Sequence, residues 1–391
     1  MGSNLPGQSA FWWGQATQVA SWGSHSAGIL RLIRSSPRKR NYIGLHDQIR
    51  PVAGASGPFL MRYLSPFILR NGHTQTLMAH LLAGPAPSVP TRRHRVDLGD
   101  GDALVVHDSS PVDWRAGDTT AVLVHGLTGS HRSPMIARIA GKLYRRGVRV
   151  ARIDLRGAGA GFALARRMYH VGRSDDLSKA CRLMASICSD SPMLLIGLSL
   201  GANIVLKMLS DPKECQGLPI KGAWVACPPV DPAACVVKLQ TSAGRIYDRR
   251  FVKVLIREYE ARRALFPELP DLFLKHAMNL RDFDEVCTAP ANGYRDADHY
   301  YKSNTTATRI SRIAAPTTIV ATQDDPVVDI GPLRNLKETL PSGHPVRLVI
   351  HRHGGHLGLM DMNLAGLRSR IDDAVVAWAV DCAKGFASLG G

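Results

Sequence analysis

Ser199, within Gly197-Leu198-Ser199-Leu200-Gly201, is the side chain whose neighbours best suit it to act as a nucleophile. The pentapeptide alone is a common turn composition, and its flanks make it specific. The apolar run Met193-Leu194-Leu195-Ile196 precedes it, and Ala202 to Leu209 follow in a helical pattern, so the order is strand, sharp turn, helix. Such a turn crowds the backbone on either side of the serine, where only glycine fits without a clash. It lifts the Ser199 hydroxyl above the end of a sheet. It also aims the N–H of Leu200, at the helix N-terminus, at a developing oxyanion.

A serine of this kind needs a base and an acid, and in this strand–turn–helix setting they follow it in the order acid, then histidine. Pro316 to Thr322 is a β-branched run that ends at Gln323-Asp324-Asp325-Pro326-Val327-Val328, and Val346 to Ile350 ends at His351-Arg352-His353-Gly354-Gly355-His356. Strands of a parallel sheet share one carboxyl edge, so these groups can converge on Ser199. Asp325, before Pro326 and two valines, is the preferred acid, and Asp324 reads as a turn or capping carboxylate. His356 follows two glycines that let its loop fold back over the serine, whereas His351 and His353 read as the strand end and its polar neighbour. The His351-x-His353 spacing could imitate a metal site. Zinc would need a further carboxylate or cysteine at ligand spacing, and none is near, so neither metal nor cofactor is expected.

A second oxyanion donor is expected from the loop after an early strand. Ala121-Val122-Leu123-Val124 leads into His125-Gly126-Leu127-Thr128-Gly129-Ser130, where Gly126 lets the backbone turn inward and Leu127 N–H becomes the donor. His125 is read as structural.

With these residues in place the chain resembles the YheT-type α/β-hydrolases, bacterial relatives of eukaryotic acylglycerol lipases and phospholipases. The resemblance runs over about residues 62–385. Its marks are Arg70-Asn71-Gly72-His73-Thr74-Gln75-Thr76, His125-Gly126-Leu127 with Gly129-Ser130, and Met168-Tyr169-His170-Val171-Gly172 leading to Asp175-Asp176-Leu177. Leu280-Arg281-Asp282-Phe283-Asp284, the stretch Gly293 to Tyr301, Asp324-Asp325-Pro326 and His353 to Gly358 complete it. Thr74, Ala202 and Val327 depart from the family pattern without removing a catalytic group, and Val327 stands in for a frequent aromatic. The resemblance implies an α/β-hydrolase fold: a mostly parallel central sheet, helices on both faces and a helical cap. It implies Ser199 as nucleophile, Asp325 as orienting acid and His356 as base.

Composition agrees with that class. The chain has 391 residues, long enough for one large α/β domain with a cap. Strands alternate with helical stretches from about residue 121, and Gly99-Asp100-Gly101-Asp102 between two short apolar runs marks a hairpin. Ala158-Gly159-Ala160-Gly161 lacks the glycine spacing and lysine of a phosphate cradle. Seven cysteines without C-x-x-C pairs suit a reducing cytoplasm, and no apolar run reaches membrane-spanning length. The net charge is +17; the first sixty residues carry six cations and one acid, leaving +12 on the remainder. With cations spread over most elements and no recognition module, nucleic acid is not an expected partner.

The organisation expected is a disordered or spurious N-terminal extension at 1–60, hydrolase core at 61–232, a cap at 233–310 and core again at 311–391. Arg245, Arg249, Arg250, Lys253, Arg257, Arg262 and Arg263, interleaved with apolar residues, read as an amphipathic cap helix able to touch an anionic membrane. Tyr294, Tyr300 and Tyr301 are expected to supply aromatic surface, and Leu367, Ile371, Val375, Trp378 and Cys382 a helix packed on the sheet. The expected activity is carboxylester hydrolysis of a lipid-like or short- to medium-chain acyl ester. An acyltransferase with the same three groups, or a non-catalytic binding protein on the same fold, are the alternatives.

Overall fold

A computed structural model of the chain describes residues 70–81, 88–274, 278–363 and 366–387, so the extension expected at 1–60 lies outside the described residues. Eight strands make one sheet: β1 (Arg92–Asp97), β2 (Ala103–Ser109), β3 (Thr120–Val124), β4 (Arg149–Asp154), β5 (Met193–Leu198), β6 (Ile220–Ala226), β7 (Thr317–Thr322) and β8 (Val346–His351). Their order is β1-β2-β4-β3-β5-β6-β7-β8. The pairs β1–β2 and β2–β4 are antiparallel and the rest are parallel, as expected for a mostly parallel sheet. The Gly99–Asp102 turn sets the hairpin register, pairing Asp97 with Ala103. A small hairpin, β9 (Met360–Asn363) with β10 (Gly366–Ser369), stands apart from this sheet.

The helices are α1 (Gly72–Leu81), α2 (Pro134–Tyr144), α3 (Ser174–Ile187), α4 (Leu200–Leu209), α5 (Pro232–Gln240), α6 (Arg245–Leu265), α7 (Ala297–Asn304), α8 (Gly331–Thr339) and α9 (Arg370–Ala387), with short turns between some of them. Side chains of a strand alternate between faces, and β5 divides accordingly. Leu194, Ile196 and Leu198 join Ile136, Ile139 and Leu143 of α2 and Ile371, Val375 and Ala379 of α9. Met193 and Leu195 join Leu177, Ala180 and Cys181 of α3 and Ile204, Val205 and Met208 of α4 on the other face. A strand apolar on both faces must be covered on both, and that places β5 at the middle of the sheet.

Helix α9 begins later than its apolar spacing implies. Ser369 Oγ accepts the Asp372 N–H at 3.3 Å, which starts the helix at Arg370 and leaves Leu367 in β10.

Between β6 and β7 the chain makes α5, α6 and α7. Val252, Leu255, Ile256 and Tyr259 of α6 pack on Phe283 and Cys287. The basic run along α6 divides in two. Arg245, Arg249, Arg250, Lys253 and Arg257 are exposed, but Arg262 is buried and donates to the carbonyls of Gly157, Phe162 and Ala165. Arg263 pairs with Asp271 at 3.2 Å. Tyr300 and Tyr301 are buried as well, so the aromatic surface expected from them is instead interior. They sit on the inward side of α7, where Tyr301 also has a carboxylate to bond.

One buried ion cluster joins β4 to its neighbours. Arg156, 1% exposed, meets Asp176 of α3 at 2.7 Å, Asp102 at 2.7 Å and Asp100 at 2.8 Å. Removing the cation would strand Asp176 and Asp102 as buried carboxylates. Arg156→Leu is therefore expected to cost about 3–5 kcal/mol in urea unfolding at neutral pH; a loss under 1 kcal/mol would show that the cluster is hydrated in solution.

Candidate active site

Strands β3, β5, β7 and β8 end at one edge, and the residues flagged in the sequence meet there. Ser199 follows β5 with φ 54° and ψ −122°, a conformation seldom adopted outside glycine, held by the crowding around it. A Cβ on Gly201 would collide with the carbonyl oxygens of His125 and Val124, so α4 can start this close to the end of β3 only with glycine there.

The Ser199 hydroxyl lies 2.8 Å from His356 Nε2, and His356 Nδ1 lies 2.8 Å from Asp325 Oδ2. With the Nδ1 proton donated to the carboxylate, Nε2 is left to accept from Ser199. Asp325 is 3% exposed, and its Oδ1 accepts the N–H groups of Val327 at 2.8 Å and Val328 at 2.9 Å. Burial raises the Asp325 carboxyl. The facing His356 and the two N–H groups outweigh it, and the group stays below the usual carboxylate range.

Asp324 takes a different part. Its Oδ1 accepts the Gly355 N–H at 2.8 Å and its Oδ2 lies 3.5 Å from His353 Nδ1, so it fastens the histidine loop without reaching His356. His351 is the last residue of β8. His125 is fully buried, with Nδ1 donating to Gly126 O at 2.8 Å and Nε2 accepting the Leu155 N–H at 3.2 Å. Both ring nitrogens are occupied, which is the structural use expected.

Leu127 and Leu200 both border the space beside Ser199. The loop carrying Leu127 runs against the serine, for a Cβ on Gly126 would stand 3.1 Å from Ser199 Cβ. That space is a cavity of about 410 Å³ with a mostly apolar wall, drawn from the core and from the segment between β6 and β7. Val327 is part of the wall.

Two supporting groups were not assigned a role from the sequence. Thr76 of α1 accepts the His356 N–H at 2.8 Å and donates to Gly72 O at 2.7 Å. A Cβ on Gly355, at φ 58°, would overlap Gly72 O, so α1 and the histidine loop interlock. The quoted Arg70–Thr76 motif was the signal, but nothing in it says which strand end it touches. Cys227, after β6 at φ 49°, bonds Asp325. Burial and then the Asp325 charge push its thiol up, so it remains a protonated donor.

A second buried cluster flanks the loop that carries Leu127. Asp154 accepts from His107 Nε2 at 2.8 Å, from His131 Nδ1 at 2.8 Å, and from the N–H groups of His131 at 2.7 Å and Ala160 at 2.8 Å. The two imidazoles are stacked 3.4 Å apart at 10°. Both facing nitrogens lie at hydrogen-bond distance from the one carboxylate. The glycine-rich loop thus wraps an aspartate of the chain itself.

A family model described as the alpha/beta hydrolase fold matches residues 121–362. YheT of Escherichia coli strain K12, named as an esterase, is 30% identical over 310 residues, covering 78% of this chain and 89% of that protein. The chain belongs to the YheT-type α/β-hydrolases. Another relative of this hydrolase is medium-chain fatty acid ethyl ester synthase/esterase 2 of Saccharomyces cerevisiae, 25% identical over 267 residues, or 61% of this chain and 58% of that protein. Among solved structures, the alpha/beta hydrolase GrgF from Penicillium sp. sh18 matches with a TM-score of 0.50 at 17% identity, covering 76% of this chain and 99% of that one. At that identity the match speaks to the fold.

The two neighbouring aspartates give a sharp test. Asp325→Asn is expected to lower kcat by about 10⁴, as when the acid facing a catalytic histidine is neutralised. Asp324→Asn keeps an acceptor for Gly355 and is expected to stay within about tenfold of wild type, by the modest worth of one hydrogen bond. Steady-state turnover of an activated ester ranks them, and the opposite ranking would move the acid by one residue.

Proposed function

We propose that the protein is a serine carboxylester hydrolase acting on a lipid-like or medium-chain acyl ester. The observation that carries this reading is the unbroken chain Asp325–His356–Ser199, at 2.8 Å per link, opening on an apolar cavity. Ser199 attacks the ester carbonyl as His356 takes its proton. Asp325 holds the imidazole tautomer and stabilises its cation, and His356 then protonates the departing alcohol. The N–H groups of Leu127 and Leu200 hold the oxyanion, each worth about 3–4 kcal/mol in the transition state. Water activated by His356 releases the acyl-enzyme.

The names of YheT and of the yeast relative support ester chemistry. The yeast name, joining synthase and esterase, is also the reason to keep acyl transfer to an alcohol as a second reading. The same serine would then hand its acyl group to an alcohol, and product analysis with added ethanol separates the two. A non-catalytic binder would have no use for a serine held at φ 54° against a histidine. Residues 233–310 act as the cap, since Leu255, Phe283 and Tyr301 from that segment wall the cavity. The workplace is the cytoplasm, where the seven unpaired cysteines are kept reduced.

Ser199→Ala is expected to abolish fluorophosphonate labelling and to lower ester turnover by about 10⁴ or more. Full labelling of that variant would end the mechanism.

The exposed part of the α6 cation run, Arg245 to Arg257 with Ile246 between, serves to dock the enzyme on anionic lipid, though without Arg262. Among the described residues no helix is long and apolar enough to cross a membrane. Each surface cation near an anionic leaflet is worth about 1 kcal/mol and is screened within a Debye length. Co-sedimentation is expected with vesicles of mixed anionic lipid at low salt, with loss at high salt and on neutral lipid. Equal binding to both lipids would dismiss the docking.

A further inference from the structure

His356 stands on a loop that needs outside support. Gly355, Leu357 and Leu359 have φ of 58°, 59° and 42°, and the two leucines carry a Cβ into a region that side chains seldom enter. Three successive N–H groups of the loop are taken by side chains from elsewhere in the chain. Gly355 donates to Asp324 at 2.8 Å, His356 to Thr76 at 2.8 Å, and Leu357 to the Cys227 sulfur. A backbone in this conformation persists only where its surroundings hold it, so these acceptors decide where the imidazole stands.

Asp324 and Cys227 reach the loop from the ends of β7 and β6, which the sheet fixes. Thr76 reaches it from α1, outside the sheet. The first turn of α1 is wedged in place, for a Cβ on Gly72 would overlap Asp324 O just as one on Gly355 would overlap Gly72 O. Gln75 takes the Met360 N–H at 2.7 Å, at the far end of the histidine loop.

Thr76 is held in turn by α6. The Tyr247 hydroxyl bonds the Thr76 side chain and lies 3.1 Å from His73 Nδ1, with the tyrosine and imidazole rings stacked at 18°. The direction of each bond follows from one of them. Thr76 gives its only hydroxyl proton to Gly72 O at 2.7 Å, so it can only accept from Tyr247. Tyr247 has then given its own proton, which makes His73 Nδ1–H the donor to Tyr247. The result is one run of donors, from His73 to Tyr247 to Thr76 to Gly72, in which each bond polarises the next. With the His356 N–H as its second incoming bond, the Thr76 hydroxyl makes every bond a hydroxyl can make.

None of His73, Thr76 and Tyr247 borders the cavity beside Ser199. Whatever these side chains do to turnover, they do without touching the substrate. Phe251 and Leu255, farther along α6, do wall the cavity. The helix that shapes the cavity is therefore also the one that steadies the histidine loop.

We propose that Tyr247 and Thr76 are positioning residues for His356. The Tyr247 hydroxyl fixes the Thr76 oxygen, and that oxygen fixes the His356 N–H and with it the imidazole between Asp325 and Ser199. The seating of α6 thereby enters kcat. This rests on the reading of Ser199 and His356 as nucleophile and base, and it adds no chemical step.

The test is a double-mutant cycle on the full chain, with Thr76→Val, Tyr247→Phe, the two together and Thr76→Ser, on p-nitrophenyl acetate and p-nitrophenyl decanoate. Thr76→Val keeps the shape and removes the acceptor. It is expected to lower kcat by about 30-fold, within the range for a buried N–H left unpaired. Tyr247→Phe is expected to lower kcat by about fivefold, the net worth of one hydrogen bond. KM is expected to stay within about twofold in both, because neither side chain meets the substrate. Thr76→Ser, which keeps the oxygen, is expected to bring kcat back to within about threefold of wild type. The pair is expected to lose no more than Thr76→Val alone, since Tyr247 acts only through that oxygen. Active enzyme is counted by fluorophosphonate labelling taken to completion, so a smaller folded fraction does not imitate a lower kcat. Losses that multiply in the pair, losses in KM in place of kcat, or no recovery in Thr76→Ser overturn the relay and leave α1 a packing element. Unchanged kcat in Tyr247→Phe overturns it even where Thr76→Val does not fold. Absence of labelling and of turnover in wild type is instead the failure of the Ser199 reading.

Discussion

The site depends on backbone segments that approach too closely for side chains to separate them. At Gly201 the start of α4 lies against the carbonyls ending β3, and at Gly355 the histidine loop lies against the first turn of α1. These contacts set the distance between Ser199 and His356, since each residue sits one or two positions from one of the glycines. A Cβ at either place would push two elements apart by more than a hydrogen bond tolerates. Hydrophobic packing on the two faces of β5 supplies the rigidity against which this crowding is held.

Much of this was legible in the sequence because the signals are local. A strand, a glycine-flanked serine and a helix predict their own geometry, and Asp325 and His356 each follow a β-branched run whose end must lie at the same sheet edge. Asp325 was preferred to Asp324 for the Pro326 and two valines that follow it, and it is Asp325 that faces His356 and takes the N–H groups of both valines.

What stayed hidden were contacts across long stretches of chain. Nothing around Thr76 says that it will meet His356, 280 residues away, and nothing around Cys227 says that its thiol will face Asp325. The basic run on α6 was misleading for a related reason. Helical spacing shows which residues share a face, but not that Arg262 will find three carbonyls from the loops after β4 and bury itself there. Tyr300 and Tyr301 likewise turn inward because α7 has a carboxylate and a histidine to face. Exposure is a tertiary property, and a pattern of charges and aromatics does not determine it.

The Asp154 carboxylate is shared by β2, through His107, by the loop that follows β3, through His131, and by the glycine-rich loop, through Ala160. Three stretches of chain therefore depend on one side chain, and changes in them are coupled. A substitution at His107 alters the environment in which one at His131 is tolerated, so the two effects will not add. The loop between β3 and α2 in this enzyme is consequently not a portable module. Grafted onto a relative without the aspartate and its two histidines, it would arrive without the anchor that holds its shape.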